Sequence, residues 1–128
     1  MTPTPETSEL INAQVDAADA FLQRFNQVCD ITTRKLFPRL LAVLDASDVR
    51  HPFITVLDRL DGLGVIADPA WWVDLNAIRN RLIHEYAMSL EERASELSIA
   101  WVAALRLVEE IDTIRNRPNL ITSMGEAR

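Results

Sequence analysis

An all-α, antiparallel bundle of four or five helices is what this 128-residue chain predicts, on three observations. Apolar residues recur at spacings of three and four, the period of a helix with one buried face. Glycine occurs only three times, and no long stretch alternates polar with apolar residues as a half-buried strand would. The breaks between apolar stretches carry helix-start and helix-stop chemistry, so the chain reads as rods whose short connections pack successive helices side by side.

The first helix is expected to start at Thr7 or Ser8 and to reach Cys29. Leu10, Ile11, Val15, Ala18, Phe21, Leu22, Phe25 and Val28 would form its single buried stripe. Asp30 then reads as the cap of a second helix, "ITTRKLFPRLLAVLD", in which Pro38 should kink or split the rod because it lacks an N–H and crowds the preceding turn. A third helix begins near His51 and Pro52 and ends at "DGLG", where Gly62 suits a left-handed terminal residue. Asp68 followed by Pro69 joins an N-cap to proline at the first helical position, starting a fourth helix through Trp71, Leu75, Ile78 and Leu82. Ser89 and Glu92 have capping-box spacing, so a fifth helix starts there and continues to about Asn116, ahead of Pro118.

Composition narrows the function classes. The length suits one domain over residues 1–128, with 1–6 and 118–128 as flexible ends, and 48% apolar with 25% charged residues is ordinary for a folded protein. Cys29 is the only cysteine, so an internal disulfide is impossible and the expected location is the cytoplasm. No metal-ligand spacing surrounds Cys29, and neither a metal nor any other cofactor is expected. "MTPTPETSEL" has neither a basic n-region nor an apolar h-region, so the mature chain is expected to start near Met1. No window approaches the roughly 20 apolar residues of a membrane span, and a membrane partner is not expected. The net charge of −6 is spread evenly over both halves. That argues against binding nucleic acid by bulk charge, while leaving room for a local cationic cleft.

The stretch "AIRNRLIHEY", Ala77 to Tyr86, crowds Arg79, Asn80, Arg81, His84 and Tyr86 into the end of the fourth helix. A helix C-terminus carries partial negative charge, which favours the imidazolium of His84 and suits it to acid or base work near neutral pH. At about 100° per residue, Asn80 and Arg81 fall within about 60° of His84, whereas Arg79 lies about 140° away. Arg79 and His84 therefore meet only if the helix breaks at its end or a second copy supplies one of them.

"RNRLIHEY" resembles the R-x4-6-H motif of HEPN domains, small helical bundles that often act as metal-independent ribonucleases, and its "HEY" end is similar to the H-x-Y extension of HepT-type toxins. The similarity covers roughly residues 50 to 115. Arg81 inside the motif departs from the commonest pattern. The resemblance implies a homodimer whose two motifs meet in one cleft, with RNA as substrate. Within it, Arg79 and His84 would be catalytic, and Asn80 and Arg81 would orient the histidine or bind phosphate. It also implies a toxin–antitoxin pair of the HepT/MntA type, in which a nucleotidyltransferase antitoxin adds AMP to Tyr86. The same fold can serve instead as a non-catalytic, nucleotide- or substrate-binding companion of a nucleotidyltransferase.

Plainer readings stand beside these. Arg79 and Arg81 could be solvated helix residues, Arg81 pairing with Glu85 one turn on. His84 could be a structural histidine and Tyr86 an aromatic at the core edge. His51 reads as a surface residue and Cys29 as a small buried hydrophobe. Trp71, Trp72 and Trp101 read as core or interface before base-stacking platforms. Arg34, Lys35 and Arg39 form the densest basic cluster outside the motif, a solvated face or a contact for RNA backbone. A purely structural bundle with an incidental motif is the third class of reading.

Overall fold

The computed structural model describes residues 4–46, 49–84 and 90–117, with the side chains of residues 83, 84 and 90 outside that description. Among the described residues every regular element is a helix. These are α1 (Pro5–Asp30), a π-helical turn (Ile31–Leu36), α2 (Phe37–Asp45), α3 (Phe53–Gly62), α4 (Pro69–His84) and α5 (Leu90–Arg115). Two ion pairs fix the direction of α5 against α4. Arg81 near the end of α4 meets Glu96 early in α5, and Asp68 just before α4 meets Arg106 late in α5, so the two helices run antiparallel.

α1 begins at Pro5, earlier than the apolar pattern suggests. Thr4 and Pro5 repeat the signal of Asp68 and Pro69: the Thr4 hydroxyl accepts the Thr7 backbone N–H at 3.2 Å and proline takes the first helical position. Asp30 does not cap a new helix. It keeps right-handed helical dihedrals and makes no capping hydrogen bond, so the rod continues from α1 through the π-helical turn into α2. The expected split at Pro38 takes this form, a wider turn just ahead of a residue that cannot donate to the helical ladder.

α2 stops at Ala46, which adopts φ 51° and ψ 40°. α3 ends in a Schellman arrangement centred on Gly64 rather than Gly62. The Gly64 N–H donates to the Asp61 carbonyl at 3.0 Å and the Val65 N–H to the Leu60 carbonyl at 2.9 Å. Gly64 carries φ 77°, and the buried pair Leu60 and Val65 supplies the apolar contact of that motif. α4 starts as the sequence indicates, with the Asp68 carboxylate accepting the Trp71 N–H at 3.3 Å.

The core draws on every helix. Phe25 and Cys29 of α1, Phe37 and Leu40 of α2, Leu57 and Leu60 of α3, Trp72 and Leu75 of α4, and Ala103 and Leu107 of α5 are all buried. Trp72 has no exposed surface and meets the ring of Phe37 edge-on at 4.7 Å. Trp71 is half-buried and lies under the Arg106 guanidinium at 4.6 Å, while Trp101 is 54% exposed. Of the expected α1 stripe only Phe25 is fully buried; Val15, Ala18, Phe21 and Leu22 are half-buried, and Val28 is 40% exposed. Leu10 and Ile11 stay 66% and 44% exposed; Ile11 lines an open groove with Leu82 of α4 and Leu97 of α5 instead of being buried between them.

Candidate functional site

α4 remains helical through His84, so the break that sequence geometry allows between Arg79 and His84 does not occur there. On a continuous helix the two positions stay about 140° apart. His84 is the last described residue of α4, and a helix C-terminus carries a partial negative charge. Its side chain lies outside the described residues, as does Tyr86 entirely.

Arg79 is fixed tightly. Only 13% of its side chain is exposed, and its Nη2 donates to Asp30 Oδ2 at 2.6 Å, joining the end of α1 to the last third of α4. Nη1 donates to the Asn80 side-chain oxygen at 3.1 Å. The buried Nε atom has no hydrogen-bond partner among the described residues, and neither does Asp30 Oδ1. That second carboxylate oxygen lies 3.8 Å from Arg34 Nε, so Asp30 sits between two guanidiniums. A short, charge-assisted bond in a half-buried setting is among the stronger polar contacts a small domain can make. The bond engages Nη2 while Asn80 takes Nη1, so Nε is the guanidinium nitrogen left without a partner among the described residues.

Arg81 faces elsewhere. Its Nε and Nη2 both approach Glu96 Oε2, at 3.1 and 3.0 Å, and 44% of its side chain is exposed. The partner is thus a residue of α5, while Glu85, one helical turn away in sequence, lies outside the described residues. The structure brings Arg79 together with Asn80 and sends Arg81 to a different neighbour.

Cys29, next to Asp30, is 2% exposed. Burial pushes its thiol up from 9.0 to about 12; the Asp30 carboxylate adds to the rise, while Arg79 and a backbone hydrogen bond oppose it. The thiol is therefore neutral at ordinary pH and unsuited to nucleophilic work. Among the described residues no cluster of three or more histidine, cysteine, aspartate or glutamate side chains could hold a metal ion. No described helix is long and apolar enough to cross a membrane.

Asp30 is the residue that sequence reasoning assigned to another task. It lies 49 positions from Arg79, and no local spacing rule connects them. Glu96 was equally silent as the partner of Arg81. No family model matches the chain, and neither a curated protein nor a solved structure is significantly similar to it.

Proposed function

We propose that the chain is a HEPN-type, metal-independent endoribonuclease, the toxin of a HepT-like pair, working as a homodimer in the bacterial cytoplasm. The reading is carried by one observation: Arg79, bonded to Asn80, and His84 in the last turn of α4 occupy the motif positions within an all-helical bundle. In this reading His84 takes the proton from an RNA 2′-hydroxyl as that oxygen attacks the neighbouring phosphorus. As the bond from phosphorus to the 5′-oxygen breaks, that oxygen takes a proton from the His84 imidazolium or from solvent, and a 2′,3′-cyclic phosphate remains. Arg79 stabilises the pentacovalent phosphate, its planar fork suited to two oxygens at once. The nucleophile is part of the substrate and already held beside its target, so the step calls on positioning and charge more than on an activated water.

Two copies are needed because one continuous helix keeps Arg79 and His84 apart. The exposed run of Trp101, Val102, Leu105 and Val108 on α5, each at least 54% exposed, is the kind of surface a second copy would cover. The partner nucleotidyltransferase would add AMP to Tyr86, placing phosphate charge beside the arginines and blocking RNA. Mass spectrometry of Tyr86 after co-expression with such an enzyme, showing no added AMP, would reject that part.

The decisive comparison is between the parent and His84→Ala for growth arrest and for cleavage of total RNA with chelator present. Equal cleavage by both proteins would remove His84 from the reaction. A second reading is the non-catalytic, nucleotide- or substrate-binding companion of a nucleotidyltransferase; the Asp30 carboxylate on Arg79 competes with a ligand phosphate in either reading, so activity and binding separate the two. Tight nucleotide binding with no RNA cleavage by the parent would select the companion.

A further inference from the structure

A second basic cleft lies between α2 and the segment that leads into α3, adjoining the Arg79 cluster through Arg34 and Asp30. Arg34, Pro38, Leu41 and Asp45 follow one another at three- and four-residue steps and so share a face of the rod. The left-handed turn at Ala46 reverses the chain, and Arg50 and His51 come back over that face. The space enclosed is about 460 Å³, within the range of small-ligand sites. A second lobe of about 290 Å³ shares Arg34, Pro38, His51 and Val56 and reaches Asn76 of α4, one turn before Asn80.

The charge in this cleft is unbalanced. Arg34, Arg39 and Arg50 all line it, and among the described residues no carboxylate comes within salt-bridge distance of Arg39 or Arg50. The carboxylate in the lining, Asp45, is engaged by Arg59 at 3.4 Å. Asp30 stands 3.8 Å from Arg34 but is held more closely by Arg79. His51 lines both lobes, and its buried Nε2 atom has no hydrogen-bond partner among the described residues. Three arginines lining one cleft in a chain of net charge −6 are a local feature, since the composition as a whole runs the other way.

We propose that this cleft binds a nucleoside monophosphate. A phosphate dianion matches three arginines better than a single carboxylate does, and guanidinium forks suit its tetrahedral oxygens. The volume exceeds what phosphate alone fills. Leu41, Ala42 and Val56 give the lining an apolar part for the sugar and base, and His51 lines both lobes. The inference does not require the RNA-cleaving reading, because it uses neither Arg79 nor His84.

Calorimetric titration of the full chain at low salt with AMP, inorganic phosphate and adenosine tests it. Saturable one-to-one binding of AMP is expected, with weaker, competing binding of phosphate and none of adenosine. The Arg39→Ala/Arg50→Ala double variant removes exposed side chains, so it is expected to fold, and its AMP affinity should fall at least tenfold. Ring 15N NMR of the parent gives a readout independent of any variant, because only two histidines are present: AMP should shift the His51 resonances. Absence of saturable AMP binding, equal affinity in the double variant, adenosine binding as tight as AMP, or a shift confined to His84 would each overturn the proposal. RNA cleavage by the double variant at the parental rate, together with lost AMP binding, would separate this cleft from the proposed reaction.

Discussion

The Arg79 guanidinium reaches Asp30 across 49 positions of sequence, at 2.6 Å, and the two residues pin the end of α1 to α4. The carboxylate that holds the arginine in place would also compete with any phosphate for its Nη2. Asp30→Asn separates these two effects. The substitution keeps the size and one acceptor but removes the charge, so stability should fall by about 1–3 kcal/mol, read as a lower urea midpoint. Binding of a short oligoribonucleotide should nevertheless tighten, measured by fluorescence anisotropy, because the phosphate no longer competes with a carboxylate. Weakened RNA binding together with lowered stability would instead make Asp30 a residue that positions Arg79 for its ligand.

Burial sets the chemistry of Cys29. A thiol raised from 9.0 to about 12 in the folded state favours the protonated form, and the unfolded chain loses that proton first as pH rises. The stabilising contribution is therefore complete below pH 9 and is lost progressively between 9 and 12, with a slope of at most about 1.4 kcal/mol per pH unit. Urea midpoints followed through this window should decline more steeply for the parent than for Cys29→Ala. The same burial predicts that iodoacetamide labels the native protein far more slowly than the urea-unfolded chain at pH 8. Equal labelling rates would show that the thiol is open to solvent.

Two left-handed residues end helices α2 and α3, and they call for opposite substitutions. At Gly64, φ is 77° and nothing would touch an added Cβ within 4 Å, so the cost of Gly64→Ala is one of backbone strain, about 1 kcal/mol or slightly more. At Ala46, φ is 51° and a side chain already bears that strain. Ala46→Gly should be neutral to stabilising by up to about 1 kcal/mol, since relief of strain is partly offset by greater freedom of the unfolded chain. Thermal unfolding of the two variants checks both signs.

These contrasts show what the sequence could carry. Local chemistry was legible: the Asp68 cap, the proline at the start of α4 and the end of α5 near Asn116 stand where capping rules put them. Periodicity was less reliable at the start of α1, because a helical stripe reports which residues could be buried and not whether the neighbouring helices close over them. Leu10 and Ile11 fit the pattern and remain exposed. The partners of Arg79 and Arg81 were illegible for another reason. Asp30 and Glu96 meet them only through packing of separate helices, and an acidic residue announces a cap or a solvated face as readily as a distant arginine. The cleft lined by Arg34, Arg39 and Arg50 depends in turn on the chain reversal at Ala46, a non-glycine residue in a conformation that sequence rules assign mainly to glycine and asparagine.

The continuity of α4 through His84 makes a quantitative prediction about subunits. Arg79 and His84 lie on different faces of one helix, so a site that uses both must take the arginine from one copy and the histidine from another. Arg79→Ala and His84→Ala proteins should each be inactive alone. When they are mixed and allowed to exchange subunits, about half of the dimers pair one of each, and each such dimer carries one intact site of two. Activity should recover to about a quarter of the parental value. Introducing Trp101→Glu and Leu105→Glu into both variants charges the exposed apolar face of α5, should leave monomers by light scattering, and should abolish the recovery. If the site were built within one chain, mixing would restore nothing while the parent stayed active as a monomer, and that pair of results would end the two-subunit account.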